Sequence, residues 1–144
     1  MGPLEQYLPY LLNRAGARIA AAFNADMRQI GASLQVWRVL AVLREQDGRR
    51  MGDLSKTTSI EVSTLTRLVD NMEKDGLVAR RREAGDARTI SLHVTPSGRR
   101  LTQRIVPIAE RYEAVALEGF TAGEVAVLKK ALRRLYDNMD ALER

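Results

Sequence analysis

The sequence predicts a mainly α-helical chain with one small two-stranded β element. Three observations predict it. Apolar residues recur at steps of three and four through the first half and the last third of the chain. Strict alternation occurs once, at Thr89-Ile90-Ser91-Leu92-His93-Val94, where Ile90, Leu92 and Val94 share a face. Glycines at 31, 48, 76 and 85 fall between these segments and mark the turns.

The first helix opens near Pro9, a residue tolerated in a first helical turn, and carries Leu12, Ala15, Ile19, Ala22 and Phe23. Ser33 is placed to cap a second helix with Val36, Val39, Leu40 and Leu43 on one face and Gly48 past its end. A short third helix fits Met51 to about Thr57, then a turn at Thr58–Ile60. The fourth runs over Val62–Asp75 with Leu65, Leu68, Val69 and Met72 inward, and Gly76 stops it. Leu77–Arg82 and Thr89–Val94 pair around a Gly85-Asp86 turn as a hairpin, the only β signal. Thr95 before Pro96 starts a fifth helix carrying Leu101, Ile105, Ile108, Tyr112 and Val115, in which Pro107 should introduce a kink. The last helix has a capping box, Thr121 with Glu124. Val125, Leu128, Leu132, Leu135, Met139 and Leu142 then form a heptad seam.

Composition narrows the chemistry. The 144 residues contain no cysteine, which excludes disulfides, Cys-ligated metal sites and thiol switches, and a single histidine, His93, disfavours a His-rich metal site or a Ser–His triad. His93 is expected on the solvated face of its strand. No carboxylate pair, nucleophile–base pair or Gly-rich phosphate loop stands out, so neither a catalytic residue, a metal nor a cofactor is expected. No apolar run reaches the ~18 residues of a membrane span, and the N-terminus does not read as a signal peptide. A cytoplasmic protein is the expectation. The net charge is +5, and only four of the 23 basic residues are lysine. Arginine's planar fork suits phosphates and guanine edges, although a GC-rich genome enriches arginine anyway.

A short helix, a tight turn, a longer helix and a hairpin make a winged helix-turn-helix lobe. The start of the longer helix offers Ser63, Thr64, Thr66 and Arg67. Such a helix end can enter a DNA major groove, its hydroxyls reaching phosphates and bases and Arg67 a guanine edge. The hairpin offers Arg80, Arg81, Arg82 and Arg88 with Asp86 at its tip, suited to a minor groove, where a nearby carboxylate can steady a guanidinium. Each part also has a plainer reading. Early hydroxyls often only cap and solvate a helix, consecutive arginines often only protect a sheet edge, and helix-turn-helix lobes also dock proteins. The conjunction favours double-stranded DNA; the alternative is a winged-helix protein-interaction module.

From Leu11 to Met139 the chain resembles the MarR family of transcriptional regulators. The resemblance rests on Thr64-Leu65-Thr66-Arg67-Leu68-Val69-Asp70-Asn71-Met72-Glu73-Lys74-Asp75-Gly76-Leu77-Val78 through Arg80. The wing pattern adds Asp86, Arg88, Leu92, Val94, Thr95 and Gly98. It implies a homodimer whose helical region, residues 1–32 and 96–144, carries winged-helix DNA-binding lobes, residues 33–95, onto a pseudo-palindromic operator. It further implies a repressor released by a small, often aromatic, anionic effector. Glu61 departs from the small polar cap frequent in the family. A glutamate there would repel phosphate, so either it points away or the helix entry differs.

The seam of the last helix and the apolar first helix expose more hydrophobic face than one small lobe covers, which argues for self-association through Leu12, Val125, Leu128, Leu132, Leu135 and Met139. The alternative is packing within one chain. For an acidic effector between body and lobe, Arg14 and Arg18 can pair with a carboxylate while Trp37 and Tyr112 wall an aromatic body. The two rings equally fit plain core or interface roles.

Overall fold

A computed structural model describes residues 1–143. The chain divides into two compact units, Met1–Glu110 and Arg111–Arg144.

In the first unit, a 3-10 turn at Leu4–Gln6 precedes α1, Leu8–Gln29, which has Pro9 in its first turn. Only Phe23 and Met27 of α1 are buried, while Leu8, Leu11, Leu12 and Ile19 are exposed. Gly31, at φ 72°, takes the chain out of α1. Ser33 caps α2, Leu34–Glu45, by accepting the Val36 N–H at 3.2 Å. The Asn24 side chain accepts the Leu34 N–H at 3.1 Å and ties α1 to that start. After β1, Arg49–Arg50, come α3, Met51–Thr58, and α4, Val62–Lys74. Between those helices Ser59 adopts a left-handed backbone (φ 57°), and Ile60 is buried beneath the turn. Gly76, at φ 73°, turns the chain into β2, Val78–Glu83; β3, Asp86–Val94, follows.

The sheet is antiparallel in the order β1-β3-β2, so it has three strands where periodicity shows two. The third is β1, which pairs Arg49 with Leu92 and Arg50 with Ser91. Two residues cannot show a period, so only the fold reveals it. With an edge added, His93 is less solvated than expected. It is half-buried, with Nε2 2.9 Å from the Ser91 hydroxyl and its ring over Gly48, where a Cβ would come within 3.0 Å. Met27, Leu40, Leu43, Leu54, Leu65, Met72, Leu92 and Ile105 are fully buried and form the core of this unit. Burying each such side chain is worth roughly 1.5–3 kcal/mol.

Helix α5, Pro96–Ala116, continues through Pro107. Its start is fastened to the turn after α4: the Thr95 hydroxyl donates to the Gly76 carbonyl at 2.6 Å, and the Thr95 N–H to the Leu77 carbonyl at 3.1 Å. Gly98 lies against the same turn, and a Cβ there would sit 2.1 Å from the Leu77 oxygen.

In the second unit, Gly119 (φ 86°) leads to α6, Ala122–Asn138. The Thr121 hydroxyl accepts the Glu124 N–H and the Glu124 carboxylate accepts the Thr121 N–H, both at 3.1 Å, completing the expected capping box. Lys129 reaches Glu113 at 3.3 Å. No residue of α6 is buried: Val125 and Leu135 are half-buried and Leu128 and Leu132 exposed, as is Met139 in the 3-10 turn, Met139–Leu142, that follows. No helix among the described residues is long and apolar enough to cross a membrane.

Candidate nucleic-acid interface

Helix α4 is positioned by one apolar face. Leu65, Val69 and Met72 are at most 1% exposed and key it into the core, so the opposite face, with Ser63, Thr64, Thr66, Arg67 and Asp70, is exposed. The four groups expected to meet nucleic acid divide in two. The Ser63 hydroxyl donates to the Glu61 carboxylate at 3.0 Å, and the Thr66 hydroxyl to the Val62 carbonyl at 2.8 Å. Thr64 and Arg67 make no side-chain hydrogen bond among the described residues. Glu61 occupies the N-cap position without capping the helix, because its carboxylate is turned to Ser63. Both hydroxyl partners are one helical turn or less away, so the α4 start is ordered by its own sequence.

The wing is the hairpin of β2 and β3. Pairing runs from Val78↔Val94 to Arg82↔Ile90 and then breaks, Glu83 pairing with Asp86, so that residues 87–89 have no partner across the ladder. Asp86 organises this tip. One carboxylate oxygen accepts the Arg88 N–H at 2.9 Å and the other the Thr89 hydroxyl at 2.7 Å. The Thr89 hydroxyl and then the Arg88 N–H hold its carboxyl below the usual aspartate range. The carboxylate therefore fixes the backbone of Arg88, whereas the sequence suggested a grip on its guanidinium. Arg81, Arg82 and Arg88 are exposed and make no side-chain hydrogen bond or ion pair among the described residues.

Arg80 is different. Its guanidinium is 2.6 Å from Asp70 and 3.2 Å from Glu73, and its backbone N–H donates to Glu73 at 2.9 Å. Sequence reasoning also passed over Arg50, which β1 brings beside the wing. It pairs with Glu83 at 3.1 Å, and that carboxylate raises the affinity of the Arg50 guanidinium for its proton. The signal was the Arg49-Arg50 pair just before α3, but the contact spans 33 residues.

The residues considered for an effector are spread over both units. Arg14 and Arg18 are exposed on α1, with the Arg14 guanidinium 5.6 Å from the centre of the Tyr10 ring. Trp37 is half-buried on α2, and Tyr112 is half-buried in the second unit. None of the four lines either of two clefts in the first unit, one of about 340 Å³ beside Arg44 and Arg99 and one of about 600 Å³ beside Arg100 and Arg104.

Known proteins share this arrangement. A family model described as "MarR family" matches residues 30–89, from the end of α1 to the wing tip. A transcriptional regulator of the MarR family from Silicibacter pomeroyi is 34% identical, with a TM-score of 0.84 over 95% of this chain and 92% of that one. The HTH-type transcriptional regulator FarR of Neisseria gonorrhoeae is 30% identical over 91% of this chain and 90% of that protein. Bordetella bronchiseptica BpsR, whose DNA binding is regulated by 6-hydroxynicotinic acid, is 26% identical, with a TM-score of 0.81 over 90% of this chain and 98% of its own.

Proposed function

Because this chain belongs to the MarR family of DNA-binding transcriptional regulators, we propose that it acts in the cytoplasm as a homodimeric repressor of a pseudo-palindromic operator. The observation that carries this reading is the contrast in how side chains are used. The exposed face of α4 offers Thr64 and Arg67, and the wing offers Arg81, Arg82 and Arg88, all without protein partners among the described residues. Unpaired guanidinium groups on a helix face and a hairpin suit phosphates, a guanine edge in the major groove and the narrow minor groove. Ser63 and Thr66 lie on the same helix face, where their hydroxyl lone pairs remain open to donors, and Asp86 presents Arg88. In this reading residues 33–95 read DNA and residues 1–32 with 96–144 build the dimer.

The exposed apolar seam of α6, with Leu12 on α1, supplies the dimer contact. A two-fold axis then sets the two α4 helices about 34 Å apart, one turn of DNA. The regulation of BpsR DNA binding by 6-hydroxynicotinic acid supports a small aromatic acid as the effector class here, with Arg14 and Arg18 meeting the carboxylate and Trp37 covering the ring. Such an acid releases DNA only by binding the DNA-incompetent form more tightly.

The test is fluorescence-anisotropy binding of the purified protein to its own upstream intergenic DNA and to a scrambled duplex at two salt concentrations. Tight binding that prefers the native sequence and weakens with salt supports the proposal, because phosphate contacts release counterions. Salt-insensitive binding without preference points instead to a protein-docking winged helix.

A further inference from the structure

Arg80 is the wing arginine whose charge is spent inside the protein. Its guanidinium bridges Asp70 and Glu73 of α4, and Glu73 also takes the Arg80 backbone N–H, so three bonds join β2 to one turn of the helix. Its side chain is 24% exposed, whereas Arg81 and Arg82 beside it are exposed. The fork geometry matters. Asp70 and Glu73 lie three residues apart on the helix, and only a planar group with two separated donors meets both. For Arg80 to reach a phosphate it would have to leave both carboxylates, exposing two unpaired negative charges beside the DNA-facing side of the lobe.

We propose that Arg80 is a positioning residue whose link to Asp70 and Glu73 fixes the angle between α4 and the wing that simultaneous major- and minor-groove binding requires. This rests on the DNA-binding reading above. The covalent link between the two elements is the short turn through Gly76, a residue with no side chain to brace it. Thr95 fastens that turn to α5, and the three bonds of Arg80 join β2 directly to α4 across it. They also neutralise the acids that would otherwise oppose the approach of phosphate.

The experiment compares wild type, Arg80→Ala, Arg80→Lys and the double variant Asp70→Asn/Glu73→Gln. Anisotropy is read on the operator duplex and a scrambled duplex over a salt series, with thermal melting by circular dichroism as the folding control. A positioning role predicts that Arg80→Lys and the double variant each weaken operator binding by about tenfold, as misplaced recognition elements do. Arg80→Lys, which keeps the charge, leaves the scrambled-duplex affinity and salt slope at the wild-type value. The double variant, with two fewer negative charges, holds the scrambled duplex more tightly and still loses operator affinity. The double variant decides the sign, because it removes two negative charges and frees a guanidinium.

If Arg80 were a phosphate contact, the double variant would bind both duplexes more tightly with a steeper salt slope, and Arg80→Lys would bind like wild type. Either result overturns the proposal, as does wild-type operator affinity in both variants. Should Arg80→Ala fail to fold, Arg80→Lys and the double variant carry the test, since both keep hydrogen-bonding groups at every position. Wild-type protein that shows no salt-dependent sequence preference overturns the DNA-binding reading itself and this inference with it.

Discussion

Helices α4 and α6 carry similar apolar patterns and meet opposite fates. In α4 the stripe of Leu65, Val69 and Met72 is at most 1% exposed, whereas in α6 Leu128 and Leu132 are 37% and 41% exposed, and Met139 just past its end is 55% exposed. The pattern alone does not say what covers it. For α4 the cover is its own unit, so its polar face is left for function. For α6 the apolar face is what remains open, and a second copy of the chain is the occupant we propose. Amphipathicity thus marks a buried stripe in one helix and an open one in the other.

That contrast can be broken or sharpened by substitution. Leu65→Ala should destabilise the fold by about 2–5 kcal/mol, read as a shift in the urea midpoint that does not depend on protein concentration. Leu132→Glu should instead weaken self-association by about 3 kcal/mol, since a carboxylate would enter an apolar interface. Sedimentation would show monomers with native helical content, and a concentration-independent loss of structure would put Leu132 in a monomer core. On the polar face of α4, Arg67→Ala should cost roughly 1–3 kcal/mol of operator binding, concentrated at one base position per half-site. A uniform loss over all sequences would make Arg67 a phosphate contact. Thr121→Ala removes the α6 cap and should lower stability by about 1 kcal/mol, measured by thermal melting.

The smallest effect is one of pH. The Asp86 carboxyl is depressed in the folded wing, so its contribution is present above its ordinary value near 3.8 and is lost as pH falls through the depressed one. The Arg88 amide resonance should therefore stay constant from neutral pH down to mildly acid conditions and move only below that value. Asp86→Asn should remove the titration; a midpoint at or above the ordinary aspartate value would contradict the Asp86 bonds to Arg88 and Thr89.

What could be read in advance follows from range. Ser33, Thr95 and Thr121 announce helix starts because a cap and its N–H lie within three residues, and the structure shows each bond. Gly76 and Gly85 mark their turns for the same reason. Strand β1 was illegible because two residues have no period and its partner, Leu92, is more than forty residues away. His93 sits on the polar side of an alternating strand, yet Gly48 comes close enough to shelter it. Arg80 shows the same limit inside the interface. Its type suggested DNA, but its partners lie seven and ten residues earlier, and only the reversal at Gly76 brings them beside it. Residue type named the chemistry of the surface; distance in the fold decides which groups remain free to use it.

The missing side chain of Gly98 has a mechanical meaning. With no clearance between α5 and the Leu77 carbonyl, and with Thr95 bonded on both sides of that joint, the helix start and the turn leading to the wing form a fulcrum without slack. Within the first unit α5 runs over residues 96–110, a lever arm of about 22 Å at 1.5 Å per residue. A displacement of about 2 Å at Glu110 is a rotation of about 5° at the fulcrum on that same helical rise. The wing sheet and the C-terminal end of α4 would turn with it.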